Sequence, residues 1–255
     1  MKIFEYINNI FSKVKKIDVK NLPSQGFFYP TDLVLHIKRA NTEDIEEYNK
    51  GYDRNNIHSV LNKLKSIVEK NVKFSNKYNF NHLKSIDVVY LFLEIVKFTK
   101  NKTININYFN EQKGEFEFVE FSSENFNYYN LGEIVEIWDP EKRCIDINGY
   151  KLTLPTIGIE NSLTNYLIEK SNVENAIKYS EYNYNFTFFL NEKEKLTFSE
   201  IDNLIQIFNF DLDDDEKYKV NNAVELLKPM HKYSLIKENQ IIEMSSKLDL
   251  ETIWN

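Results

Sequence analysis

The sequence predicts an α+β protein: a helical N-terminal lobe, an antiparallel β-hairpin section, and a helical C-terminal lobe that ends in a short hairpin. Three observations predict it. Apolar residues recur at helical spacing within 57–68 and 87–98. Between 103 and 154 the apolar period changes to two, with turn residues between the runs. After 158 helical spacing returns, until an extended stretch at 240–254 whose Ile241, Ile242, Leu248, Leu250, Ile253 and Trp254 suit a final hairpin. These changes divide the chain into an amphipathic N-terminal helix (1–19), a helical lobe with one strand (20–102), the β section (103–158) and a mainly helical lobe (159–255). No internal repeat and no Ser/Gly- or Pro-rich linker separates them, so the lobes are expected to be joined tightly.

Bulk composition narrows the function. With 255 residues, 42% of them apolar, the chain can bury a large core. Its 19 Phe and 16 Tyr exceed what a disordered chain carries. The net charge of −7 argues against a nucleic-acid binder, whose affinity rests on neutralising phosphates. A single cysteine, Cys144, leaves no intramolecular disulfide, so packing must hold the fold, and Cys144 itself is expected as a small buried hydrophobe. No apolar run reaches the ~18 residues of a spanning helix. The first sixteen residues have neither a continuous apolar stretch nor the small-residue cleavage site of a signal peptide. A soluble protein working inside a cell is the expectation.

Along the chain, Ile3, Phe4, Ile7, Ile10, Phe11, Val14 and Ile17 form the stripe of an amphipathic helix over 2–17, with Lys2, Lys13, Lys15 and Lys16 on or near its other side. Pro23, Gly26 and Pro30 then break regular structure, and 33–38 alternates as a strand. Asn41 or Thr42 caps a helix whose first turns are acidic. Ile57, Val60, Leu61, Leu64, Ile67 and Val68 give the clearest helical face. Leu61 and Leu64 are both expected in the core, against a second helix opened by Ser85 or Asp87 and apolar nearly all round. In the β section, strands at 103–108 and 115–121 flank a Gln112-Lys113-Gly114 turn, and 134–138 is a further strand. Asn148-Gly149 turns a hairpin between 144–147 and 150–154. Helices follow near 159–172, 174–181, 198–209 and 214–228, with Thr197 and Glu200 forming a capping box.

No catalytic or metal-binding pattern emerges. Asp211, Asp213 and Asp215 match the first three ligand positions of an EF-hand loop, but Glu216 stands where Gly is needed and Asn222 where Glu is needed. The run reads instead as the acidic N-terminus of a helix. His36, His58, His82 and His231 are scattered without ligand-pair spacing. Pro155-Thr-Ile-Gly158 is the nearest approach to a phosphate-cradling loop and does not match it. Cys144 lacks an activating neighbour. A hydrolase built on dispersed acids such as Asp87 and Glu94 is an alternative; a Glu at a groove edge explains Glu94 without chemistry.

Two stretches carry a family likeness. The first is Leu22-Pro-Ser-Gln-Gly-Phe-Phe-Tyr-Pro30, followed by the strand, the acidic helix start and Asp87-Val-Val-Tyr-Leu-Phe-Leu-Glu-Ile-Val96. The second is Ile145-Asp-Ile-Asn-Gly-Tyr-Lys-Leu-Thr-Leu-Pro-Thr156. Together they resemble the baseplate hub subunits and hub assembly proteins of T-even-like contractile-tailed bacteriophages. That family shows an LPS-x-G-x-x-Y opening, a helical pair, a β section and a strand ending in L-P-T before more helix. The similarity in order spans about residues 20–160. Some relatives carry C-x-x-C pairs where this chain has Asn107-Tyr-Phe-Asn110 and Glu243-Met-Ser-Ser246. If those pairs bind zinc elsewhere, both hairpins here must be held by packing. The extension 1–17 lies outside the shared pattern.

The resemblance implies a non-enzymatic phage tail protein: either a baseplate hub component, carried in the virion tail baseplate, or a hub assembly factor acting in the host cytoplasm. It implies other tail or hub proteins as partners; the residues themselves lead us to expect no cofactor, no metal, no nucleic acid and no stable membrane insertion. The motif residues Leu22, Pro23, Ser24, Gly26, Tyr29 and Pro30 are candidate partner contacts. They also suit a purely structural turn, in which Pro23 fixes φ, Gly26 permits positive φ, and Phe27, Phe28 and Tyr29 anchor on the core. Ile3, Phe4, Ile7, Ile10 and Phe11 are the candidate partner helix. Left exposed, such a stripe invites aggregation, so the body of the protein, a neighbouring subunit or lipid must cover it. A peripheral membrane protein anchored by this helix is the alternative from another class.

Overall fold

The computed structural model describes residues 13–51, 57–75, 77–110, 113–122, 125–170, 184–189, 193–231, 234–237, 240–243, 248–250 and 253–254. In chain order its first elements are β1 (Val14–Asp18), β2 (Val34–Lys38), α1 (Thr42–Gly51), α2 (Ile57–Asn71), β3 (Val72–Phe74), α3 (Val88–Lys100), β4 (Ile104–Asn110) and β5 (Glu115–Phe121). Then come β6 (Phe126–Asn127), α4 (Gly132–Ile137), β7 (Trp138–Asp139), β8 (Cys144–Ile147), β9 (Tyr150–Leu152), α5 (Ile157–Lys170), α6 (Phe198–Gln206) and α7 (Asp214–Leu227). The last are β10 (Ser234–Lys237), β11 (Gln240–Glu243) and β12 (Leu248–Asp249). The fold is α+β, as the sequence predicts, and its sheets are antiparallel.

Two hydrophobic cores organise these elements. The first lies between the β1-β2-β3 sheet, helices α1 to α3 and the inner face of the β4–β5 hairpin. Helix α3 is buried on nearly every side, which its almost continuous apolar sequence requires. Helix α2 packs against it through Val60, Leu64, Ile67 and Val68, but Leu61, expected in the core, sits at the rim and is 36% exposed. Among the described positions of the apolar pattern, Leu61 is the one that leaves the buried stripe. Asn41, not Thr42, supplies the cap of α1: its Oδ1 accepts from the Asp44 N–H at 2.8 Å.

The N-terminal segment corrects the expected helix over 2–17. Val14 and Ile17 lie in β1, paired residue for residue with β2 from Val14↔Lys38 to Asp18↔Val34. Val14 and Ile17 are three apart, which suits a helix better than a strand; five residues of ladder pairing with β2 override that local signal, burying Ile17 and leaving Val14 exposed. Ile3, Phe4, Ile7, Ile10 and Phe11 lie outside the described residues, as does the helix expected at 174–181.

The second core is built from α4, the β7-β8-β9 sheet, α5, the 184–189 segment, α6 and α7. The β section thus divides: β4 and β5 face the first core and β7 to β9 the second. The Asn148-Gly149 turn forms as expected, with φ of 51° and 91° at the two residues. Residues 134–138, expected as a strand, instead form most of α4 and then one residue of β7. Leu131 and Ile134, three apart, are the buried pair there, while Val135 is exposed; one helical turn buries what this core needs. Thr197 with Glu200 makes the expected capping box, and Asp213 with Glu216 makes a second. The second box is what the calcium-like acidic run does. Gly158 is fixed by close approach, since a Cβ there would overlap the backbone carbonyl of Glu194.

The tail departs from the expected final hairpin. The hairpin is β10–β11, and β12 leaves it to pair with β4. Leu250, Ile253 and Trp254 return to the first core, where Trp254 meets Tyr48 and Phe92 edge-on. The Tyr48 hydroxyl donates to the Leu250 carbonyl at 3.1 Å. Among the described residues, no helix is long and apolar enough to cross a membrane.

Candidate interaction sites

The two stretches that carry the family likeness meet at one buried node beside the start of α3. Ser24 donates from its N–H to Asp87 Oδ1 (2.9 Å) and from its hydroxyl to Oδ2 (2.8 Å). The Tyr29 hydroxyl donates to the same Oδ2 at 2.8 Å and accepts from the Lys84 N–H at 2.8 Å. From the other stretch, Thr153 Oγ1 and the Leu154 carbonyl accept from Lys84 Nζ (3.0 and 3.4 Å), and the Pro155 carbonyl accepts from the Ser85 N–H (3.0 Å). The chain enters this node through a tight turn in which Gln25, Gly26 and Phe28 all have positive φ, a conformation that only glycine adopts without strain. Leu22, Pro23, Ser24, Tyr29 and Pro30 are buried and Gly26 is half-buried. These residues are occupied in holding the fold, and the buried ones present no surface to a partner. Asp87 does not cap α3 with its side chain; its carboxylate is turned to the Pro-Gly turn instead.

Burial dominates the electrostatics of the node. It pushes the Asp87 carboxyl up to about 6, against the opposing pull of the Ser24 and Tyr29 hydrogen bonds and the Lys84 charge. It pulls the Lys84 amine down to about 7, with Arg143 adding to the effect and Asp87 opposing it. Burial, then the neighbouring Asp87, holds the Tyr29 hydroxyl well above the usual phenol range. A lowered amine would suit a nucleophilic lysine, but Lys84 is 4% exposed and spends its Nζ on Thr153 and Leu154. The depressed amine has a consequence for stability. From about pH 7 to the ordinary lysine range the folded chain binds fewer protons than the unfolded chain, so this group's contribution rises with pH and is lost as pH falls through 7. The stability of the wild type relative to Lys84→Met should therefore increase between pH 7 and 9, by up to about 1.4 kcal/mol per pH unit. Urea midpoints at several pH values check this; a flat difference would mean Lys84 titrates normally.

The remaining candidates for chemistry are also engaged. Glu94 is buried and pairs through Oε2 with Lys15 Nζ at 2.5 Å, while Asp87, seven residues earlier on the chain, faces Ser24 and Tyr29. Cys144 is buried in β8, and burial raises its thiol, so it is the less reactive form of the group. Among the described residues, no three His, Cys, Asp or Glu side chains are grouped so that they could hold a metal ion.

A surface that the motif reading missed lies on the outer face of the β4–β5 hairpin. Phe109, Phe116 and Phe118 are 39%, 59% and 61% exposed, while Ile104, Ile106, Tyr108, Val119 and Phe121 fill the inner face. Phe109 and Phe116 are cross-strand partners whose rings meet edge-on at 5.3 Å. The hairpin is pinned near its tip by Glu117. That carboxylate accepts from Lys113, from Tyr108 Oη at 2.6 Å, from Asn110 Nδ2 at 3.3 Å and from Lys237 Nζ at 3.4 Å. These partners, Lys113 first, hold Glu117 down to about 2. A fixed hairpin with phenylalanines on its solvent face is a pre-organised contact surface. The signal was in the sequence: in Glu115-Phe-Glu-Phe-Val-Glu-Phe121 the apolar residues change parity at Phe118-Val119, so both faces must carry them. The structure does not bring the candidate partner helix into view, since Ile3, Phe4, Ile7, Ile10 and Phe11 precede the first described residue. Set against family models, curated proteins and solved structures, the chain matches none of them.

Proposed function

We propose that the protein is a non-enzymatic phage tail protein, a baseplate hub component or hub assembly factor, that works by binding other tail proteins. The observation that carries the binding role is the outer face of the pinned β4–β5 hairpin, with Phe109, Phe116 and Phe118 exposed together. Aromatic side chains on a fixed scaffold lose little entropy on docking and are the usual anchors of protein interfaces. The phage assignment rests on the motif resemblance. The two quoted stretches pack together at Lys84, Ser85 and Asp87. Made in the host cytoplasm, such a protein acts there if it is an assembly factor and in the tail baseplate if it is a component.

Phe116→Ser combined with Phe118→Ser tests the surface. Both side chains face solvent, so stability should change by no more than about 0.5 kcal/mol each, while co-purification with a tail hub protein is lost. Full binding by the folded double variant would remove the hairpin from the interface. Mass spectrometry of purified particles separates a resident component from an assembly factor, and failure of the wild type to co-purify with any tail protein would remove the phage reading itself. The N-terminal segment is tested by deleting residues 1–12; a deletion to 17 would also take away β1 and so confound binding with folding.

A further inference from the structure

We infer that the protein associates head-to-tail with a second copy of itself, Phe210 of one chain entering a lysine-rimmed depression on the other; this goes beyond the phage reading and does not depend on it. The depression has a volume of about 290 Å³ and is lined by Lys15, Lys97, Phe98, Asn101 and Lys102. It lies where α3 ends and Asn101 leaves the helix in a left-handed conformation, φ 51°. Lys15 there is neutralised by Glu94, and the Lys97 ammonium rides over the Phe121 ring at 5.9 Å. Phe98 supplies apolar lining, and Lys97 and Lys102 leave a positive rim on a chain whose net charge is −7. A hollow at the lower edge of the ~300–1,000 Å³ range of ligand sites admits a single ring rather than a large ligand.

The complementary feature belongs to the other core. Phe210 is 79% exposed, the most exposed large apolar side chain among the described residues. It stands in a π-helical turn, Ile207–Asp211, that ends α6. Behind it Leu212 is buried and its N–H bonds the Ile207 carbonyl at 3.1 Å, while Lys217 Nζ donates to the Asn209 carbonyl at 2.9 Å. The backbone that presents the ring is thus held on both sides, which lowers the entropy cost of docking. Asp211, Asp213, Asp214 and Asp215 follow at once and are all exposed; Asp215 pairs with Lys219 and Asp213 caps α7, so Asp211 and Asp214 supply the acidic charge next to Phe210 in the chain. An aromatic knob with acidic charge beside it fits an apolar-lined hole with a basic rim. One chain carries both halves, which is why the occupant is a second copy. The two patches differ, so the contact is heterologous and either closes into a ring or grows into a chain. The phenyl ring is the anchor; the exposed charge pairs steer it and weaken with salt.

Sedimentation of the full chain at low and high ionic strength tests this. The wild type should associate in proportion to its concentration, and less at high salt. Phe210→Ser should weaken the association at least ~10-fold, as loss of a buried aromatic anchor does. Lys97→Glu with Lys102→Glu should do the same, and Lys102→Glu alone serves if the double variant is unstable. Melting temperatures near the wild-type value establish that each variant is folded. Mixed in equal amounts, the knob variant and the hole variant should form a one-to-one dimer and nothing larger, because each keeps the half that the other lacks. A wild type that stays monomeric at every concentration overturns the proposal, as does association that survives Phe210→Ser or a mixture that remains monomeric. Binding of a monomeric wild type to phosphatidylserine vesicles through Lys97 and Lys102 would also overturn it and assign the depression to anionic headgroups.

Discussion

Asp87→Ala should destabilise the protein by about 3–5 kcal/mol, as removal of one member of a buried, charge-assisted network does. The carboxylate accepts three hydrogen bonds in the interior, two from Ser24 and one from Tyr29. Truncation leaves those donors buried without an acceptor and removes the negative charge that acts on Lys84. The loss should not stay local, because the same node ties the Pro-Gly turn to the segment 153–155 and so joins the two cores. Tyr29→Phe removes one bond to Asp87 and the acceptor of the Lys84 N–H, and should cost about 1–3 kcal/mol. Denaturant midpoints with an unchanged slope would show stability alone to be affected. The pH dependence carries a sign. Because burial holds Asp87 at about 6, the folded chain binds more protons than the unfolded chain between ~4 and that value. The wild type should therefore lose stability relative to Asp87→Asn as pH rises through this window, and a gain there would mean the carboxylate is better solvated than its burial implies.

What was legible in the sequence was what local chemistry decides. The Asn148-Gly149 hairpin, the Thr197–Glu200 box and the apolar belt of α3 each follow from residues a few positions apart. What was not legible depends on distant pairing. Residues 14–18 carry Val14 and Ile17 at helical spacing and no strand alternation, and only pairing with β2, with Val34 across from Asp18, makes them a strand. Residues 134–138 are too short for period to decide, and the burial of Leu131 with Ile134 settles them as a helical turn. The role of Asp87 was hidden for the same reason: helix-cap logic looks a few residues ahead, whereas its partners Ser24 and Tyr29 lie 63 and 58 residues back. The Pro-Gly turn was recognisable as a turn, but not as the ligand of a buried acid. The hairpin phenylalanines were readable by parity, yet an alternating strand next to a turn draws attention to its buried face. Motif residues marked the scaffold, and the surface available for contact lay outside them.

Leu91→Ala should cost about 2–5 kcal/mol and Leu61→Ala less than about 1 kcal/mol, although the sequence pattern places both leucines on facing helices of one core. Leu91, near the start of α3, is fully enclosed, so its truncation removes buried methyl groups and leaves a void that packed neighbours cannot close. Leu61 is on the α2 edge and already meets water, so the same change removes less buried surface and leaves a space that water can enter rather than a closed cavity. The ratio of the two costs therefore measures how far the buried stripe of α2 extends. Thermal or urea unfolding of the two single variants under one set of conditions is sufficient. If Leu61→Ala proved as costly as Leu91→Ala, the α2 rim would have to be covered in solution, by a further segment of this chain or by a second copy. Repeating the measurement over a range of protein concentrations would then distinguish them, because only cover by another copy makes stability depend on concentration.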